Sequence, residues 1–205
     1  MPVFIGDVHG KYRQYERLIE RYPDTIQVGD MGVGFKRYVY HDDEDRYFPN
    51  PPHAKMVQHN ARFIRGNHDN PGICKEQSQW IEDGHVEDGM MFIGGAVSID
   101  RLYRREGYSW WDNEELSYDE LDTLVLRYQL ERPRIMVTHE CPEYVANYMT
   151  DKIDVPSRTR QAFDSMHYHH QPELWVFGHW HQSFDQVLEG TRFVCLNELE
   201  TRELE

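Results

Sequence analysis

The chain has little cysteine, little positive charge and no long apolar run, and each shortage removes a class of protein. Its three cysteines, Cys74, Cys141 and Cys195, are odd in number and form no CxxC pair, so neither a disulfide framework nor a thiolate zinc site is expected. Any bound metal must rest on oxygen and nitrogen ligands. No apolar stretch approaches the roughly 18 residues of a membrane span, and no basic-then-apolar leader follows Met1. The expectation is a soluble, cytoplasmic chain with no membrane partner. Lys and Arg total 22 against 36 Asp and Glu, a net charge of −14, which repels a polyanion and speaks against extended nucleic acid as a partner. At 205 residues the expected organisation is one domain over 1–205, with 196–205 a frayed tail.

What the chain does have is a series of short apolar runs, each broken off by a polar motif. Residues 3–5 lead into Gly6-Asp7-Val8-His9-Gly10, followed by a helix with Tyr12, Tyr15, Leu18, Ile19 and Tyr22 on one face and stopped by Pro23-Asp24. Residues 25–28 run into Gly29-Asp30-Met31-Gly32-Val33-Gly34. The polar stretch 41–52 reads as a surface loop, with a short helix before the strand 61–64, which ends in Gly66-Asn67-His68-Asp69. Strands are expected at 90–93 and 96–99, either side of Gly94-Gly95. Ser117 and Glu120 form a capping-box pattern opening a helix to about Leu130. The run 135–137 ends at Thr138-His139-Glu140 and the run 174–177 at Gly178-His179-Trp180-His181, with a helix over 157–167 between them. Residues 193–196 are expected to be the last strand.

Alone, each motif has a plain explanation. Asp30 and Asn67 suit turns beside glycine, His139 suits a hydrogen-bonded core position, and His179 with His181 suits an edge strand. One site accounts for all of them together, because ligands of α/β sheets bind beyond the carboxyl ends of strands. Asp and His supply anionic oxygen and neutral imidazole, a mixture that suits Mn, Fe or Zn. Two ions sharing a site need a bridging carboxylate, and Asp30 is the candidate because it stands alone while Asp7/His9 and His179/His181 come in pairs. The i, i+2 spacing of those pairs would set both ligands on one side of an extended backbone.

The motifs GDVHG at Gly6, GD at Gly29, GNHD at Gly66, a strand-terminal His139 and GHWH at Gly178, in this order, resemble those of the calcineurin-like metallophosphoesterase superfamily. The resemblance implies an α/β fold, a four-layer α/β/β/α sandwich of mixed sheets, with the site at the sheet edges. It implies two divalent ions, Mn²⁺ before Fe or Zn, one held by Asp7, His9, Asp30 and His181 and the other by Asp30, Asn67, His139 and His179. It implies His68 as general acid with Asp69 orienting it. The implied reaction is hydrolysis of a phosphomonoester or phosphodiester by a hydroxide held between the two ions.

The pattern also departs from relatives that carry Asp-Arg-Gly after the second Asp: here Met31-Gly32-Val33-Gly34 follows Asp30, and HECP replaces His-Gly-Gly at His139. Arg65, Arg101, Arg104 and Arg105 are the candidates to replace that phosphate-gripping Arg, against the favoured alternative that each is a solvated or ion-paired surface Arg. Trp110, beside Trp111, is a candidate wall for a nucleobase, against the alternative that both pack a loop onto the sandwich. His167, His169 and His170 read as a helix end rather than a metal cluster. The expected substrate is small and phosphorylated, nucleotides included; a protein phosphatase, a nuclease of the same superfamily and a non-catalytic scaffold are the rival readings.

Overall fold

The computed structural model describes residues 1–35, 50–150 and 155–204. Strands β1 (Val3–Ile5), β2 (Thr25–Gln27) and β3 (Ala61–Phe63) run parallel, with Ile5, Gln27 and Phe63 level at their carboxyl ends. A second sheet holds β4 (Val86–Glu87), β5 (Met90–Ile93), β6 (Ile135–Thr138), β7 (Leu174–Phe177), β8 (Phe184–Leu188) and β9 (Thr191–Cys195), in the order β4-β5-β6-β7-β9-β8. Within it β5, β6, β7 and β9 are mutually parallel.

Both faces of these strands are buried, so they read as continuous apolar runs rather than alternating ones, yet the alternation is present in where each side chain goes. Along β5, Met90 and Phe92 join Phe4, Ile26 and Val28 of the first sheet in one core, while Met91 and Ile93 join a second core. Ile135, Val137, Leu174 and Val176 enter the first core; Met136, Trp175 and Phe177 enter the second. The second core is closed by Leu124 and Tyr128 of α4 (Tyr118–Glu131), Val145 and Ala146 of α5 (Glu143–Met149), and Phe163 and Met166 of α6 (Arg158–His169). On the far side Ile5, Ala61 and Phe63 pack with Tyr12, Tyr15 and Ile19 of α1 (Tyr12–Arg21), Met56 of α2 (His53–Gln58) and Cys74 of the short α3 (Pro71–Cys74). The result is helix, sheet, sheet, helix: the four-layer α/β/β/α sandwich. Each fully buried large apolar side chain stabilises it by about 1.5–3 kcal/mol.

Local signals explain the helix ends. Ser117 and Glu120 form the full reciprocal capping box at the start of α4, and Arg132 closes its other end in a left-handed conformation just before Pro133. The expected loop 41–52 lies outside the described residues apart from 50–52.

Three expectations are corrected. Residues 96–99 are not a strand: Ser98 gives its backbone N–H to the Glu114 carboxylate at 2.8 Å instead of to a ladder. Residues 193–196 are not the last strand, and the tail as described, to Leu204, is not frayed. β10 (Thr201–Glu203) pairs antiparallel with β1, and Leu204 fills the core between the sheets. The β8–β9 hairpin and α5 had not been expected. Its turn, Glu189 at φ 47° and Gly190 at φ 86°, has the doubly positive backbone that matches strand twist in a two-residue hairpin.

Candidate metal centre

Parallel strands in both sheets deliver their carboxyl ends to one edge, and the polar motifs meet there. Ligand-type atoms of Asp7, His9, Asp30 and His181 all lie within 4.8 Å of one another. His181 Nε2 stands 3.2 Å from Asp7 Oδ2 and 2.9 Å from His9 Nε2. His139 Nε2 is 3.3 Å from Asp30 Oδ1 and 3.1 Å from Asn67 Oδ1, and the His179 ring lies 5.0 Å from that of His139. Asp30 therefore belongs to both groups: Oδ2 faces His9 at 3.7 Å while Oδ1 faces His139. All seven residues named from the motifs lie at this edge; the ligand atoms of Asp7, His9, Asp30 and His181 converge, while His179 is placed by its ring against His139, with Nε2 facing Glu140 Oε2 at 3.7 Å.

The donor atoms are aimed by neighbours. His139 Nδ1 donates to the Val28 carbonyl at 2.9 Å; a carbonyl only accepts, so the ring keeps Nε2 for the site. Asn67 Nδ2 donates to Ser98 Oγ at 3.0 Å, leaving its Oδ1 turned inward.

Two buried carboxylates in such a place must be compensated. Burial opposes ionisation of Asp7, yet hydrogen bonds from His181 and His9 hold its pKa down at about 2. Asp30 is likewise held well below the usual carboxylate range by the surrounding imidazoles, against its burial. Burial disfavours charge on His139, but Asp30, then Asp7 and the Val28 carbonyl, carry its pKa up to about 10. Protons on imidazole here occupy positions where a cation is electrostatically favoured. Two carboxylates, an amide oxygen and imidazole nitrogens, with no thiolate, fit a divalent metal.

The backbone at these motifs is not extended, which corrects the i, i+2 argument. His9, Asp30, His179 and His181 have φ of 49°, 57°, 68° and 49°, a left-handed region that costs a non-glycine residue about 1–3 kcal/mol. Neighbouring loops hold it: Val8 and His9 both donate N–H to the Asp30 carbonyl, at 3.0 and 2.8 Å, and His179 N–H reaches the Asp7 carboxylate at 3.2 Å. Two glycines allow this closeness. A Cβ on Gly66 would stand 2.0 Å from Asp30 Oδ1, and one on Gly178 2.2 Å from Asp7 Oδ1.

His68 sits at the mouth. Its backbone N–H donates to Asp30 Oδ1 at 2.7 Å, its ring stacks on Phe35 at 4.8 Å and 7°, and its Nε2 faces Arg104 Nη2 at 2.6 Å. Burial pushes its pKa down to about 4, with Arg104 adding to the effect and Asp30 opposing it. Asp69 does not act as its orienting partner. Both Asp69 oxygens are engaged by backbone N–H groups, of Gly32 and Val33 on Oδ1 at 2.7 and 2.8 Å and of Gly66 and Met31 on Oδ2 at 2.7 and 3.2 Å. It ties the 29–34 loop to the 66–69 loop, and burial followed by Asp30 raises its pKa to about 6.

The arginine candidates separate cleanly. Arg65 is 3% exposed and committed inside the fold, with Nε on Asp83 at 2.8 Å and Nη1 on the Glu114 carbonyl at 2.8 Å, so it is removed as a substrate residue. Arg101 lies exposed in a short 3₁₀ turn, Arg101–Tyr103. Arg105 stacks on Tyr108 at 4.0 Å. Arg104 touches a residue of the site, His68. Trp110 is half-buried and its carbonyl closes a turn with Gly107 N–H at 2.9 Å. Trp111 is the buried one, edge-on to Phe35 at 6.3 Å.

A family model for calcineurin-like phosphoesterases matches residues 3–183, and so spans every one of these motifs. The chain belongs to that family. No curated protein matches. Among solved structures, the chain is similar to GAP50, the anchor in the inner membrane complex of Plasmodium, at 10% identity and a TM-score of 0.46, over 96% of this chain and 71% of that one. Among the described residues no helix is long and apolar enough to cross a membrane.

In this calcineurin-like phosphoesterase, several supporting residues carried no sequence signal. Glu114, 3% exposed, accepts from Ser98 Oγ at 2.5 Å, completing a relay from Glu114 through Ser98 to Asn67. Glu140 is fully buried, accepts from Trp180 Nε1 at 2.8 Å and faces His179 Nε2 at 3.7 Å. Glu198, from the tail, stands 3.7 Å from His181 Nδ1 and pairs with Lys11. Glu114 and Glu198 lie in no recognisable motif; Glu140 stands beside His139 in HECP, and that adjacency was the one clue available.

Proposed function

We propose that this phosphoesterase hydrolyses a small phosphorylated substrate, a phosphomonoester or phosphodiester with nucleotides included, using two divalent ions, Mn²⁺ before Fe or Zn. The observation that carries the reading is Asp30, whose two oxygens face two separate donor groups. Asp7, His9, Asp30 and His181 would hold one ion, and Asp30, Asn67, His139 and His179 the other. Ions bound there would acidify a water and neutralise charge on the phosphoryl group.

The remaining work falls to the chain itself. His68, tied through its backbone N–H to Asp30, is the candidate proton donor, once substrate has drawn Arg104 off its Nε2 and the ring has taken up a proton. Asp69 keeps the two ligand loops in register. The −14 charge favours a compact substrate that enters the site over a polyanion laid across the surface.

A hydrolysis screen of the chelated and Mn²⁺-reloaded protein tests the reading. The panel is phosphomonoesters, linear and cyclic nucleotides, phosphopeptides and DNA. Turnover of the small esters, abolished by chelation, is the expected result. Metal-loaded protein inert to every ester, or active on phosphopeptide or DNA alone, would overturn it.

A further inference from the structure

We propose that Arg104 is the group that grips the substrate phosphate, exchanging His68 Nε2 for a phosphoryl oxygen when substrate enters. The inference rests on the phosphoesterase reading and adds to it the residue that replaces the absent Arg after Asp30.

A guanidinium only donates, so the 2.6 Å contact from Arg104 Nη2 is a bond to a bare ring nitrogen of His68. A neutral imidazole is a poor partner for a full positive charge. An anionic phosphoryl oxygen is a better one, because bonds with both partners charged are shorter and roughly twice as strong as neutral ones. The contact is thus one that substrate would outcompete.

Losing His68 would not release the guanidinium, because it is fixed independently. Nε is on Asp100 Oδ1 at 2.6 Å, Nη1 reaches the Ser109 carbonyl at 3.4 Å, and the group lies 5.7 Å over the Phe35 ring. Only 11% of the side chain is exposed. Phe35 also stacks on His68, so one ring sets the height of both. His68 is in turn bonded to Asp30 through its backbone, which places Arg104 one side chain away from the candidate bridging carboxylate. An oriented cation at that distance meets a phosphate whose other oxygens lie on the ligand cluster. Arg65, the competing candidate, is spent on Asp83 and Glu114.

The experiment is binding of inorganic phosphate to Mn²⁺-loaded protein by calorimetry, alongside steady-state hydrolysis of p-nitrophenyl phosphate, for wild type, Arg104→Ala and Arg104→Lys. Loss of a hydrogen bond to a charged group predicts phosphate affinity weakened about tenfold to a hundredfold in Arg104→Ala, with KM raised in parallel and metal content unchanged. Arg104→Lys should recover only part, since a point charge cannot reproduce the planar fork. If the alanine variant does not fold, Asp100→Ala, which removes the acceptor on Nε, should weaken phosphate binding in the same direction. Unchanged phosphate affinity in folded variants, with or without a fall in kcat, would overturn the assignment while leaving an active wild type. A wild type that hydrolyses nothing would instead sink the phosphoesterase reading.

Discussion

His139 Nδ1 lies 2.9 Å from the carbonyl oxygen of Val28, a bond that joins the end of one sheet to the end of the other and fixes which ring nitrogen faces the site. Without metal, the same ring carries a proton that Asp30 and Asp7 stabilise against burial, up to a pKa of about 10. A histidine raised above its unfolded value stabilises the fold fully below that value, about 6.5, and loses this contribution as pH rises toward the folded pKa. Metal-free protein should therefore unfold at lower urea as pH is raised from about 6.5 to about 10, with His9, also raised by Asp7 and Asp30 against its burial, acting in the same sense. His68 and Asp69 titrate below this window. Urea midpoints for chelated protein across this range check it; a midpoint that climbs with pH would contradict the electrostatic account.

Asp30→Asn should cost both ions, because each oxygen of that carboxylate faces a different donor group. His9→Ala should cost one. Metal titration of the two variants distinguishes them, and two undisturbed sites in Asp30→Asn would remove the bridging role.

The tail is part of the site. Gly6 N–H donates to the Glu200 carbonyl at 2.9 Å and Leu199 N–H to the Asp7 carbonyl at 3.0 Å, while Glu198 approaches His181. Deleting 197–205 should lower both the melting temperature and metal affinity. Glu198→Gln alone, which removes only the carboxylate beside a ligand, should weaken metal binding by about tenfold to a hundredfold with stability near wild type. Equal metal affinity in the truncated protein would show that the tail merely covers the sheet edge.

His68→Gln should retain the ions and lose turnover by about 10²–10⁴-fold, the usual contribution of a general acid. The loss should grow with the pKa of the leaving group, because p-nitrophenolate departs with little protonation and an alkyl alkoxide does not. The check is the wild-type to mutant ratio of kcat/KM across a leaving-group series, with chemistry limiting the rate. A flat ratio would leave His68 as a partner of phosphate or of Arg104, not a proton donor.

Much of this site was legible because its residue types are conspicuous. Asp, His and Asn that break off an apolar run have a structural use singly, but five such motifs at five strand ends point to one site, and strands buried on both faces announce themselves. What was hidden depends on tertiary placement. The left-handed backbone of His9 and His179 is held by contacts from other motifs, and His181 is left-handed too, so spacing along an extended chain misjudged them. The tail, Thr201-Arg202-Glu203, is charged and reads as solvent-exposed, but as an edge strand it needs only its ladder and Leu204. Asp69 looked like a partner for its neighbour and instead binds backbone from a loop more than thirty residues away. Arg104 could be named only as one arginine among four, since its contact with His68 spans 36 positions.

The most direct test of the central claim is metal stoichiometry measured together with hydrolysis. Protein stripped by chelator and reloaded with Mn²⁺ should bind two ions per chain, and hydrolysis of a small phosphate ester should vanish on stripping and return on reloading. One ion or none, with hydrolysis undiminished, would contradict the two-ion account built on Asp30.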